Sequence, residues 1–338
     1  MKVACFSFTD RGSEIGDKLQ SLKDEKYNID HYSNGDIDGG IKNKMQSIWN
    51  EYDGLIFISA VGIAMRMSVP YVKDKIQDPA LVVVDDLGKF SISLLSGHLG
   101  GANQLAHDIA DKLGAMPVIT TATDNRNIES IDMFAKSNNY IIEDIKSLTK
   151  LTSMMVNGKT IALYTEDDKY INYKNTEIIK NLKDISSNIE GVIIVSSKES
   201  VGDIPIPFTI LRPKNINIGI GCKKGVEKSR IVESIKDEFK RQNLSLKSIK
   251  AIATVEVKKD EKGIIESSLY FNCPLKIFSL DEIKAVEDNF SKSQFVKDTI
   301  GVYSVSGPVA FLLGGKMIKE KSKHNGITVS ISKEVNNG

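Results

Sequence analysis

Short apolar runs alternate with amphipathic stretches along the first part of the chain, and each change of period predicts an element. Residues 3–8 (VACFSF) and 54–59 (GLIFIS) are nearly continuous apolar runs, as in strands buried on both faces. Residues 41–49 put Ile41, Met45, Ile48 and Trp49 on one helical face. Ser13 can cap a helix after the first strand, and residues 28–32 read as a second strand. Residues 81–84 form another strand. The turn at residues 85–88 (DDLG) leads into residues 90–95 (FSISLL), which can pair back as an antiparallel member. A helix over residues 102–113 and a strand over 118–121 follow. Strands alternating with helices at this spacing predict an α/β fold, with a doubly wound, mostly parallel sheet at the N-terminus.

Ligands in such sheets sit beyond the carboxyl ends of the strands. The turns at residues 9–12, 60–66, 96–101 and 121–124 are therefore expected to line one rim. Residues 125–156 read as mainly helical, and residues 166–190 are polar and carry no motif. Prolines cluster near residue 213, and Arg212-Pro213 is the expected linker. A fresh, smaller α/β unit then begins, with strands at 216–220, 249–257 and 275–278 and a closing hairpin around Asn325-Gly326. The expected division is thus 1–125, 126–213 and 214–338.

At 338 residues the chain is longer than one ordinary domain. Its net charge of +1 provides no overall field for nucleic acid, so recognition of an acidic ligand must be local. Three dispersed cysteines, Cys5, Cys222 and Cys273, suit neither a disulfide framework nor a zinc site, and a reducing cytoplasm is the expectation. No apolar run is long enough to span a membrane.

The stretch richest in chemistry is SGHLGGAN, residues 96–103. Three glycines let the backbone turn sharply and approach a ligand, and the following helix start attracts anions. His98 lies within the turn and is the side chain there suited to proton transfer. Asp124 ends the next strand, where it either orients His98 or caps a helix. His107, inside the helix, reads as a surface or packing residue. His31 and His324 are expected in solvent. Gly219-x-Gly221-x-x-x-Gly225 has the form of a nucleotide turn, but the next strand closes on Lys258-Lys259 rather than on an acidic residue, although Glu256 is near. Lys223 and Lys224 in that turn suit a carboxylate-rich ligand better.

SGHLGGAN, followed by PVITTATD, resembles the N-terminal signature of cobalt-precorrin-5A hydrolases, enzymes of anaerobic cobalamin synthesis. The resemblance extends to AVGIAMR, GIGCKKG, ATVEVKKDE, SVSGPVAFLLGG and the hairpin KHNGITVSIS. It implies a contracted macrocyclic substrate whose δ-lactone is opened and whose extruded carbon leaves as acetaldehyde, giving cobalt-precorrin-5B. It implies no cofactor of the protein's own, since the substrate carries the cobalt; charge and hydropathy lead to the expectation of neither a nucleic-acid nor a membrane partner. A homodimer stays open.

Roles can then be assigned on chemical grounds. His98 serves as base, Asp124 orients it, and the Gly100 and Gly101 amides stabilise the lactone oxyanion. Arg66, Lys223, Lys224, Lys258 and Lys259 hold carboxylates, with Ser96, Gly97, Asn103, Gly221 and Glu256 also against the substrate. Two rival readings remain: a non-catalytic corrinoid shuttle, and a Rossmann-type nucleotide enzyme built on residues 219–225.

Overall fold

The computed structural model describes residues 1–22, 25–74, 77–126, 128–167, 171 and 173–334. The chain divides into two compact units, Met1–Met133 and Phe134–Gly338.

The first unit holds strands β1 (Lys2–Ser7), β2 (Asn28–Ser33), β3 (Gly54–Ile58), β4 (Ala80–Val84), β5 (Phe90–Leu95) and β6 (Met116–Val118). They form one sheet in the order β2-β1-β3-β4-β5-β6. The first four strands run parallel, and the period of two along them separates two apolar layers. Val3, Cys5, Ile56, Ile58, Val82 and Val84 pack on Leu105 and Ile109 of the helix Ala102–Leu113. Ala4, Phe6, Leu55, Phe57, Leu81 and Val83 face the other way, onto Ile41, Met45, Ile48 and Trp49. The first helix, Asp10–Ser21, is capped by Thr9, whose hydroxyl accepts from the Gly12 amide, and not by Ser13.

One reversal decides where the chemistry sits. β5 runs antiparallel to β4, with Leu95 opposite Leu81 and Ser91 opposite Val84, and β6 runs parallel to β5. The turns leaving β5 and β6 therefore lie beside the amino end of β4. The turns after β1 and β3 lie at its carboxyl end, about 15 Å away at ~3.3 Å per residue. The expectation of a single rim is thus corrected. Residues 96–101 and 121–124 share one edge, while residues 9–12 and 60–66, with Arg66, occupy the other.

The second unit holds two five-stranded sheets. The first contains β7 (Tyr140–Ile142), β8 (Ile161–Thr165), β9 (Thr176–Ile179), β10 (Gly191–Val195) and β11 (Phe208–Pro213), in the order β7-β11-β10-β8-β9. Two of these strands fall in stretches expected to be helical or featureless: β7, and β9 within 166–190, a segment that lies partly outside the described residues. The second sheet contains β12 (Ile216–Cys222), β13 (Ile249–Val255), β14 (Leu275–Phe278), β15 (Lys316–His324) and β16 (Ile327–Lys333), in the order β14-β13-β12-β16-β15. Asn325 and Gly326, both at positive φ, close the predicted hairpin.

Arg212 is not in a linker. It lies in β11, buried, and its guanidinium is satisfied by Glu143 and by the carbonyls of Ser196, Lys198 and Glu199. Nearby, Lys333 pairs with Glu166 at 3.0 Å and with Asp167 at 2.6 Å, tying β16 to the end of β8.

Gly219 and Gly221 lie inside β12, not in a turn. The helix Ser306–Leu312 crosses the strand there so closely that a Cβ on Gly219 would sit 1.9 Å from the Ser306 carbonyl oxygen. A Cβ on Gly221 would meet the Thr328 hydroxyl at 2.6 Å. These glycines admit a helix. The strand face that a nucleotide turn would open to phosphate is covered at Gly219, which removes the basis for the Rossmann-type reading; Gly221 lies half-buried near the end of β12.

Candidate functional site

The turn after β5 folds on itself. Ser96 adopts a left-handed conformation (φ 57°), as does Gly101 (φ 88°), the N-cap of the next helix. The Ala102 amide donates to the Ser96 carbonyl at 3.1 Å, the Asn103 amide to Gly97 at 3.0 Å, and the Gly101 amide to His98 at 3.1 Å. The first amides of the helix are thus engaged within the turn, and Gly101 is not placed to stabilise an oxyanion. Among the described residues, the Gly100 amide donates to no carbonyl. Gly97 and Gly100 are required by space rather than by φ. A Cβ on Gly100 would lie 2.4 Å from the Ser96 Cβ, and one on Gly97 would lie 2.7 Å from Asn103 Oδ1.

The folded turn brings His98 to Asp124. His98 Nε2 and Asp124 Oδ2 are 2.8 Å apart, although His98 lies in the turn after β5 and Asp124, which does not end a strand as expected, lies in the one-turn helix Ala122–Asn125 after β6. Oδ2 also accepts from Asn103 Nδ2 at 3.0 Å and from the Thr121 hydroxyl. Asn103 is nearly buried, and its amide carries the network inward. Its Nδ2 also donates to Thr121 Oγ1 at 3.0 Å, and its Oδ1 accepts from Ser93 Oγ at 2.7 Å. Burial is the largest influence on the Asp124 carboxyl and pushes its pKa up. The hydrogen bonds from Thr121 and His98 outweigh it, and the pKa is held below the ordinary carboxylate value. Asp124 is therefore the ionised acceptor, which assigns a proton to Nε2 of His98; in the neutral ring Nδ1 then carries the lone pair. Thr123 Oγ1 lies 3.0 Å from the same Nε2.

The site thus unites His98, Asp124 and Asn103 on a frame of Ser96, Gly97, Gly100 and Gly101. Arg66 is not part of it. It lies at the opposite edge of the same sheet, where its Nη1 contacts the Gly62 carbonyl. Ser93, Thr121 and Thr123 were not singled out in the sequence, although the threonines of TTATD directly precede Asp124 and were the available signal.

The basic residues of the second unit divide into free and engaged. Lys223, Lys224 and Lys259 are exposed. Lys258 is paired with Glu261 at 2.9 Å, and Glu261 also accepts the Gly225 amide at 2.9 Å, so Lys258 is not a free cation. Glu256 accepts the Leu280 amide at 2.9 Å, at the start of the helix Leu280–Lys284.

Two histidines expected in solvent are enclosed. The His31 side chain is 5% exposed, lying between Ser7 Oγ and Asp17 Oδ1, each at 2.8 Å. A serine–histidine–aspartate line of this kind suggests a nucleophile, but Ser7 is fully buried. The ring also fills the space over Gly16, where a Cβ would come within 2.3 Å of it. This is a packing arrangement. His324 is likewise mostly covered, 3.7 Å from Glu238. His107, read as either a surface or a packing residue, is exposed.

Fold and site together define a class: an α/β protein in which a histidine of a glycine turn at a strand end is hydrogen-bonded to a carboxylate. Family models assign it more closely. Cobalamin synthesis G N-terminal matches residues 43–124, the cobalamin biosynthesis central region matches 129–212, and cobalamin synthesis G C-terminus matches 216–332. The chain belongs to this family. It is 35% identical over 302 residues to the cobalt-precorrin-5A hydrolase of Salmonella typhimurium, covering 87% of this chain and 86% of that protein. It is 31% identical over 352 residues to that of Priestia megaterium, covering 97% and 94%. A crystal structure of a cobalamin biosynthesis protein G homolog from Sulfolobus solfataricus is similar at a TM-score of 0.40 and 24% identity, covering 98% of this chain and 97% of that one.

Proposed function

We propose that the protein is a cobalt-precorrin-5A hydrolase that opens the substrate's δ-lactone and releases acetaldehyde, giving cobalt-precorrin-5B. The observation that carries this reading is the contact between His98 and Asp124, which gives a chain of this family an oriented base.

With Nε2 committed to Asp124, Nδ1 is the atom that accepts a proton from water as the water attacks the lactone carbonyl. The Gly100 amide, which among the described residues donates to no carbonyl, is the group assigned to stabilise the developing oxyanion. Opening the lactone frees a hydroxyl on the extruded carbon. When that hydroxyl is deprotonated, the carbon–oxygen double bond of acetaldehyde forms and the bond to the macrocycle breaks, leaving its electron pair on the ring. The cobalt belongs to the substrate. In the second unit, the exposed Lys223, Lys224 and Lys259 bind the substrate's carboxylates.

The test is anaerobic incubation of the purified protein with cobalt-precorrin-5A and an assay for acetaldehyde. Stoichiometric acetaldehyde supports the reading. Binding of the cobalt compound without acetaldehyde contradicts it and favours a shuttle.

A further inference from the structure

A second carboxylate faces the open side of the His98 ring. Asp132 Oδ1 lies 3.8 Å from His98 Nδ1, the nitrogen turned away from Asp124. Asp132 stands in the first turn of the helix Ile131–Ser137, and its Oδ1 also accepts the Met133 amide at 3.1 Å. Its side chain is 7% exposed, against 21% for His98.

A distance of 3.8 Å is too long for a direct hydrogen bond. In the neutral ring with its proton on Nε2, the form that can act as a base, the two atoms are also both acceptors, since Nδ1 presents a lone pair and the carboxylate has only lone pairs to offer. Facing acceptors need a donor between them, and it must supply two protons. One water oxygen about 2.8 Å from each atom does so, with an angle of roughly 85° at that oxygen. Its own lone pairs then point away from both partners.

We propose that His98 and Asp132 together hold the hydrolytic water, which makes Asp132 a further catalytic residue. The proposal rests on the hydrolase reading above. The water oxygen bonds to the lactone carbonyl carbon as one of its protons passes to Nδ1. The acyl carbon–oxygen bond then breaks, and the departing alkoxide takes that proton back. Asp132 keeps the other proton hydrogen-bonded and aims the attacking lone pair. One water is consumed, and one carboxylic acid and one alcohol are formed.

The experiment compares wild type with Asp132→Leu, which has a similar shape and no acceptor, and with Asp132→Asn, which keeps one neutral acceptor. Turnover of cobalt-precorrin-5A is measured with kcat and KM separated. The leucine variant should lose on the order of 10²-fold or more in kcat, with the asparagine variant between it and wild type and KM nearly constant. Added hydroxylamine, a nucleophile that does not depend on the water's position, should restore lactone opening in the variants, trapped as the hydroxamate. A merely structural role for Asp132 would not respond to it. If the leucine variant fails to fold, the asparagine variant and its hydroxylamine response decide. Wild type that turns over, with folded variants within about threefold of it, overturns the water site alone. Wild type that releases no acetaldehyde overturns the hydrolase reading instead.

Discussion

Asn103 and Asp124 are joined side chain to side chain, Nδ2 donating to Oδ2 at 3.0 Å, so the start of one helix is bonded to the carboxylate that holds His98. Asn103 also reaches Ser93 on β5 and Thr121. Replacing it by leucine would leave those groups unpaired in a largely buried place. Asn103→Leu should cost about 1–3 kcal/mol of stability, read from urea denaturation, and should lower turnover because Asp124 loses a restraint. Unchanged stability and turnover would show that the amide is incidental.

The glycines of the turn can be ranked. A Cβ on Gly100 would collide with the Ser96 Cβ at 2.4 Å and with its carbonyl oxygen at 2.8 Å, while a Cβ on Gly101 meets nothing within 4 Å. Gly101→Ala therefore bears only the strain of its positive φ, about 1–2 kcal/mol. Gly100→Ala should displace the turn and reduce turnover further. Assays of the two variants under one condition check the order, and a more active Gly100→Ala would reverse the account of the turn.

Much of this frame was legible in the sequence, and for a physical reason. Ile41, Met45, Ile48 and Trp49 are buried together because helical spacing alone puts them on one face. The turn back into β5 could also be read from its aspartates and glycine. What could not be read was its consequence. Pairing direction decides which end of the sheet a turn occupies, and only the register of β5 on β4 separates His98 from Arg66. The enclosure of His31 depends on Gly16 of the preceding helix leaving space for the ring, which no local pattern signals. Asp132 follows a polar stretch with no motif, and no local pattern signals that it comes within 3.8 Å of Nδ1.

The Asp124 carboxyl is held below its ordinary pKa of 3.8 in the folded protein. Folding therefore favours its ionised form. The resulting stability is present above the unfolded value and is lost as the pH falls through the folded one. Thermal melts from about pH 6 down to about pH 2 should show a shallower acid loss for Asp124→Asn than for wild type. Parallel curves would mean that the Thr121 and His98 contacts do not favour the charged form.

Lys223 and Lys224 are exposed, whereas Lys258 is held by Glu261. Changing the first two to alanine should weaken binding of the carboxylate-rich substrate and flatten its salt dependence, and Lys258→Ala should do so less. Titration of the cobalt chromophore at two salt concentrations reads both effects. An unchanged salt slope in the Lys223→Ala/Lys224→Ala variant would remove these lysines from the substrate.

The central claim is that His98, oriented by Asp124, is the base. His98→Asn keeps much of the ring's shape and a hydrogen-bonding group, but it cannot take up the proton. Acetaldehyde release from cobalt-precorrin-5A by this variant tests the claim most directly. The account predicts a loss on the order of 10²–10⁴-fold, with binding of the cobalt compound, followed by its visible absorption, changed far less. Turnover within a few-fold of wild type would contradict it and place the base elsewhere.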